Sequence, residues 1–178
     1  NGSSALAPEK KWGFFPGVSA SWNIANENFL KDNSTISELK VRGGWGKTGN
    51  ISGIPAYAYY SLGRLNKEGG TWSPYRTGSD VSWETTTDTN FGLDFGFINN
   101  RIRLTADFYN RKTDDLIMPI PIGLGIPDFL QNMGSMENKG MEFTLNTVNF
   151  KTTDFTWNTN FNISFNKSKV LNLEYMPI

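Results

Sequence analysis

Apolar and polar positions alternate with a period of two through most of the chain. Between Trp83 and Phe97 the odd positions are Trp83, Thr85, Thr87, Thr89, Phe91, Leu93, Phe95 and Phe97, and the even ones are Glu84, Thr86, Asp88, Asn90, Gly92, Asp94 and Gly96. Successive side chains of a strand point to opposite faces, so this segment predicts a strand with one apolar and one polar face. Phe155, Trp157, Thr159, Phe161, Ile163 and Phe165 alternate in the same way with Thr156, Asn158, Asn160, Asn162 and Ser164. Ile102–Tyr109, Met141–Thr147, Val18–Ile24 and Leu39–Gly46 repeat the pattern, which predicts six antiparallel strands. Short helical turns are expected only around Asn26–Lys31 and near Pro127–Gln131.

The connections sort by length. Ile98-Asn99-Asn100-Arg101 predicts a type I′ hairpin turn, because Asn tolerates the positive φ that both central positions need. Lys151–Asp154 is a second short link. The links at about 48–82 and 112–139 are longer than the ~15 residues usual in compact domains. The first link, holding Phe29 and Leu30, is intermediate. Tight turns at one end of a meander and long loops at the other are the layout of an outer-membrane barrel. A soluble extracellular β-sandwich that binds carbohydrate is the alternative, since its strands alternate too. Three features favour the barrel: a third strand near ~15 residues against the usual ~5–6, polar faces rich in Asn, Thr, Ser and Gly, and aromatics at strand ends. Six strands cannot close around a polar interior, which needs ~16 to 22, so the chain reads as a segment of a larger transmembrane β-barrel.

Composition narrows the chemistry. Lys+Arg and Asp+Glu are both 17, and His and Cys are absent. Cys/His zinc sites, imidazole bases, thiol nucleophiles and disulfides are therefore excluded. The balance of charge gives no footprint for nucleic acid, and neither a metal nor another cofactor is expected. Leu116–Ile126 is broken by Pro119, Pro121, Gly123 and Gly125 and is no membrane-spanning helix. The first residues lack a basic start and apolar core, so a removed signal or an internal piece of a longer chain is expected.

No catalytic constellation stands out. Asp114-Asp115, after Arg111-Lys112, reads as a loop start neutralised by those cations. Glu84, Asp88, Asn90, Asp94, Arg103, Asp107, Asn158, Asn160 and Asn162 are expected to face the lumen. The three carboxylates of the third strand, Glu84, Asp88 and Asp94, are expected to pair with Arg103 or Tyr109 next door. Phe91, Leu93, Phe95, Leu104, Phe143, Phe161 and Ile163 are expected to face lipid. In the first long loop Tyr57, Tyr59, Tyr60, Trp72 and Tyr75 offer flat apolar faces with polar tips to a sugar or peptide, although Ala56–Tyr60 also alternates like a hairpin that packs on itself.

Four blocks carry a family resemblance: Phe14-Phe15-Pro16-Gly17-Val18-Ser19-Ala20-Ser21-Trp22; Ile36–Arg42 followed by Gly46-Lys47-Thr48-Gly49-Asn50; Trp83-Glu84-Thr85-Thr86-Thr87 through Phe97 to Asn100-Arg101-Ile102; and Asn132–Phe143 with its Asn138-Lys139-Gly140-Met141-Glu142 core. In that order, from about residue 12 to 173, the chain resembles the SusC/RagA family of TonB-linked outer-membrane nutrient transporters. The resemblance implies an all-β, up-and-down, about 22-stranded barrel in a Gram-negative outer membrane, closed by an N-terminal plug. It also implies a SusD-like surface lipoprotein as lid, the TonB complex as drive, and oligosaccharides or oligopeptides as cargo. Residues 1–178 show no plug, TonB box, carboxypeptidase-regulatory-like domain or aromatic-ended closing strand, so a partial TonB-dependent receptor barrel domain is expected.

Overall fold

A computed structural model describes residues 1–31, 33–60, 62–65, 72–76, 78–121 and 128–173, with 62–65 and 72–76 described by their backbone. The strands are β1 (Gly17–Asn23), β2 (Ile36–Asn50), β3 (Leu62–Leu65), β4 (Trp72–Arg76), β5 (Glu84–Phe97), β6 (Ile102–Asp114), β7 (Ile117–Ile120), β8 (Phe129–Asn132), β9 (Ser135–Lys151) and β10 (Thr156–Asn172). Six of them form one antiparallel sheet in the order β1-β2-β5-β6-β9-β10, while β3-β4 and β7-β8 are separate hairpins within the two long loops. The six predicted strands are all present. Four run several residues further than the hydrophobic alternation did, since β2 has 15 residues, β6 13, and β9 and β10 17 each.

Register fixes the two faces. Leu39, Phe95, Leu104, Leu145 and Phe161 form one cross-strand row, and Trp22, Val41, Leu93, Ala106, Phe143 and Ile163 the next. Ala20, Gly43, Phe91, Phe108, Met141 and Phe165 form a third on the same face. Phe108 meets Phe143 edge to face at 5.9 Å. No second sheet packs on these rows among the described residues, and Phe91, Phe161 and Phe165 stay just over half exposed. The fully buried apolar residues are few and mostly small. Ala5, Leu6 and Ala7 lie among the first residues, Ala58 and Val81 in the first long loop, and Ala106 in the sheet. A soluble sandwich would bury its inner face instead.

All three shorter links lie at one end of the sheet and both long loops at the other. The Asn turn forms as expected. The Arg101 N–H donates to the Ile98 carbonyl at 3.0 Å, with φ 51° at Asn99 and 59° at Asn100. Ile98 itself takes φ 50°, and β2's approach holds it there: the Ile98 N–H donates to Thr35 O at 2.7 Å and the Asn100 N–H to Ser37 Oγ at 3.0 Å. The first link contains a 3-10 turn, Ile24–Asn26, and a further turn closed by Lys31 N–H to Glu27 O at 2.8 Å.

Two local expectations are corrected. The helical turn foreseen near Pro127–Gln131 is instead strand, because Phe129–Asn132 pairs with Ile117–Ile120; Pro127 lies outside the described residues. Ala56–Tyr60 is a set of turns rather than a hairpin, closed by Tyr60 N–H to Tyr57 O at 3.0 Å. Tyr57 takes φ 55°, which no strand accommodates.

Candidate functional site

The polar face is built around Arg42. It stands opposite Gly92 on β5, where a Cβ would come within 2.5 Å of its Cζ, so the glycine is what lets the side chain lie across the strand. From there Nε donates to Asp94 Oδ2 at 3.2 Å, and Nη2 donates to Asp107 Oδ2 at 3.0 Å. Nη1 stands 2.8 Å from Asp107 Oδ1. Thr105 Oγ1 donates to Asp94 Oδ1 at 3.2 Å. One guanidinium on β2 thus bridges carboxylates on β5 and β6.

The expected carboxylate partners are corrected by the register. Arg103 lies opposite Gly96 near the strand end and donates to Glu38 Oε2 at 2.6 Å. Asp88 accepts from Arg111 Nη2 at 2.8 Å. Glu84 accepts from Asn50 Nδ2 at 3.0 Å and from the Ile117 N–H at 3.4 Å. Tyr109 lies over Gly140 rather than on a carboxylate, its phenol oxygen 2.7 Å from where a Cβ would be. Lys112 does pair with Asp114, at 2.9 Å. Asn90 overlies Gly44 on the polar face. The Asn ladder extends it onto β10: Asn160 Nδ2 donates to Asn146 Oδ1, Asn162 Nδ2 to Asn160 Oδ1 at 2.7 Å, and Thr144 Oγ1 to Asn162 Oδ1 at 2.8 Å. Asn158 shares that face, opposite Val148 beside a bulge. The result is a hydrogen-bonding wall whose three arginines are each ion-paired, suited to lining water and contacting polar solutes.

The long-loop end presents the tyrosines. Tyr59 and Tyr60 lie 4.3 Å apart between ring centroids, with Tyr57 at 6.5 and 6.4 Å from them. Tyr57 and Tyr60 are each about half exposed. The Tyr59 phenol is held above its ordinary pKa, first by its hydrogen bond to Tyr60 and then by desolvation. The side chains of Trp72 and Tyr75 lie outside the described residues.

Sequence reasoning missed the residue that joins the two loops. Asn132 Oδ1 accepts from the Ser82 N–H at 2.6 Å, and its Nδ2 donates to Ser82 O at 3.1 Å and to Asp115 O at 2.8 Å. Leu130 N–H adds a bond to Ser79 Oγ at 2.8 Å. The N-terminal segment is tied to the same place by Trp83 Nε1 to Lys10 O at 3.2 Å and by Lys10 Nζ to Asp80 Oδ1 at 2.7 Å.

The seven apolar residues expected against lipid, Phe91, Leu93, Phe95, Leu104, Phe143, Phe161 and Ile163, all share the apolar face. Among the described residues no acidic cluster has the make-up of a metal site. No helix there is long and apolar enough to cross a membrane, which says nothing of crossing with strands.

A one-layer antiparallel sheet with one apolar face, one ion-paired polar face, and turns and loops sorted to opposite ends is a section of β-barrel wall. The chain belongs to the TonB-dependent receptor-like β-barrel family, whose model matches residues 1–174. It is 41% identical to the TonB-dependent receptor SusC of Bacteroides thetaiotaomicron over 97% of its own length and 18% of that receptor's. It is 38% identical to the TonB-dependent receptor P3 of Formosa agariphila, again over 97% of the chain and 18% of the relative. The fold matches the RagAB peptide transporter with a TM-score of 0.86 at 29% identity, over 98% of this chain and 20% of that one. The open-open state of the RagAB peptide importer matches at 0.84, with 29% identity over 97% and 19% of the two chains. The SusC/RagA resemblance is thereby established, and the chain spans about a fifth of the length of these relatives.

Proposed function

We propose that this chain forms part of the wall of an outer-membrane TonB-dependent transporter that imports oligosaccharides or oligopeptides. The observation that carries the reading is the register. It puts bulky apolar rows on one face across all six strands and the Arg42, Arg103 and Arg111 ion pairs on the other. The apolar rows face lipid. The polar face, with Glu84, Asp88, Asn90, Asp94, Arg103, Asp107, Asn158, Asn160 and Asn162, faces the lumen. The short turns are periplasmic and the long loops extracellular, in keeping with general barrel layout. A SusD-like lipoprotein closes over the loop end, and TonB acts through a plug. Tyr57, Tyr59 and Tyr60 take cargo against their rings, which suits the apolar face of a sugar ring or a peptide side chain.

Single cysteines placed in turn from 158 to 165 of a cysteine-free full-length protein, then spin-labelled, test the two faces. Oxygen accessibility is expected to peak at 161, 163 and 165, and that of a water-soluble nickel chelate at 158, 160, 162 and 164. Uniform accessibility along the strand refutes the reading. For the cargo site, Tyr57→Ala with Tyr60→Ala should lower oligomer uptake by cells without lowering receptor abundance. Unchanged uptake removes the tyrosines from the site.

A further inference from the structure

The apolar face does not end alike at its two ends. At the short-turn end its paired positions are Ile36, Phe97, Ile102, Thr147, Thr159 and Trp157, with no charge among them. At the long-loop end the rows read Trp45, Thr89, Asn110, Lys139 and Lys167, and then Lys47, Thr87, Lys112, Glu137 and Lys169. Five lysines thus stand on the outward face just beyond the apolar rows, in a chain with 17 Lys+Arg and 17 Asp+Glu in all. Two are matched on that face, Lys112 by Asp114 at 2.9 Å and Lys139 by Glu137 at 2.8 Å. Among the described residues Lys47, Lys167 and Lys169 form no ion pair. Directly below Lys139 and Lys167, Phe91, Phe108, Met141 and Phe165 line an apolar groove of about 650 Å³.

We propose that this lysine belt and groove form a binding site for a phosphorylated, acylated lipid of the outer leaflet, with the phosphate on Lys139, Lys167 and Lys169 and an acyl chain along Phe108, Met141 and Phe165. The inference rests on the proposed orientation, long loops outward and apolar face to lipid. Charge complementarity selects the occupant. Lysines at headgroup depth attract anionic lipid, an amphipathic cation can keep its stem on apolar surface while its ammonium reaches out, and the one-ended placement matches one leaflet only.

The test titrates the folded full-length protein in detergent with dioleoylphosphatidylglycerol or dioleoylphosphatidylcholine and counts bound lipid by native mass spectrometry. The anionic lipid is expected to bind more tightly. Combined Lys139→Gln, Lys167→Gln and Lys169→Gln should weaken it on the order of tenfold and leave the zwitterionic lipid unchanged. Glu137→Gln, which frees Lys139 and removes a repelling carboxylate, should tighten it and gives an answer even where the triple variant does not fold. Equal binding of both lipids, or no response to either variant, overturns the belt while leaving the barrel reading intact. Complete displacement by inorganic phosphate overturns the lipid assignment in favour of a free anion. A protein that takes up neither lipid overturns the orientation itself.

Discussion

Replacing Phe161 by arginine probes the apolar face where the sheet makes the cost greatest. On β10 the outward positions run from Trp157 through Thr159, Phe161, Ile163 and Phe165 to Lys167. Those ten steps, at about 3.4 Å each and a tilt of about 40°, rise about 26 Å, close to the ~25 Å apolar band of an outer-membrane barrel. Phe161 and Ile163 fall in its middle, and Phe161 is flanked in its row by Leu145, Leu104, Phe95 and Leu39. A guanidinium there has no carboxylate in its row, and its reach toward the two headgroup layers spans about 10 Å and about 16 Å. The cost is therefore that of a midplane cation, about 2–4 kcal/mol. Asn160→Arg, one residue away on the polar face, should cost under about 1 kcal/mol, because it joins a hydrated wall. Urea titration of the full-length protein folded into phosphatidylcholine vesicles reads both. Equal costs, or a larger one at Asn160, would mean that the faces are assigned the wrong way round.

Gly140→Ala should destabilise the same preparation by about 1–3 kcal/mol, since its Cβ would meet the Phe165 carbonyl oxygen and lie 2.7 Å from the Tyr109 phenol oxygen. Gly43→Ala, with its nearest neighbour at 3.7 Å, should be near neutral, and equal losses at the two would discredit the close-approach argument. Arg42→Leu should cost about 1–2 kcal/mol, a charge-assisted value discounted for a guanidinium about a third exposed, and adding Asp94→Asn with Asp107→Asn should recover most of it; an additive triple variant would show that the charges are not coupled. Asn132→Ala removes the Ser82 and Asp115 bonds and should raise protease nicking within 51–83 on intact cells on the order of tenfold. Unfolding of the barrel itself should shift by less than about 1 kcal/mol, and unchanged nicking would mean that the loops are held together by other contacts.

What the sequence made legible was periodic, and what it hid was relational. Alternation located six strands and both of their faces, because Phe and Leu contrast with Asn and Thr at every second residue of β5 and β10. It faded along Met136-Glu137-Asn138-Lys139, where both faces carry polar groups, and the first six residues of β9 were missed for that reason. Arg42 looked like any polar alternate of β2. Its role depends on Gly92 standing opposite, on Asp94 lying a diagonal step away and on Asp107 lying in the same row one strand further on, which only the inter-strand register supplies. Local spacing offers Arg103 or Tyr109 to the carboxylates of β5, yet register carries Arg103 to the strand end and Glu38. Asn132 bonds a residue fifty positions earlier, a distance at which no local pattern speaks.

Register also explains why one sheet carries so many glycines on its polar side. Gly44, Gly92, Gly96 and Gly140 each lie under a longer side chain from a neighbouring position: Asn90, Arg42, Asn100 and Tyr109 respectively. Each of these side chains thereby lies flat along the wall instead of projecting from it. For Arg42 the flat posture is what lets one cation reach carboxylates on two strands at once. A wall so arranged keeps the Arg42, Arg103 and Arg111 ion pairs within itself, so a body pressed against it would exchange water contacts instead of breaking those pairs. That property suits the lumen-facing role proposed for the polar face, and it ties the glycine spacing there to that role.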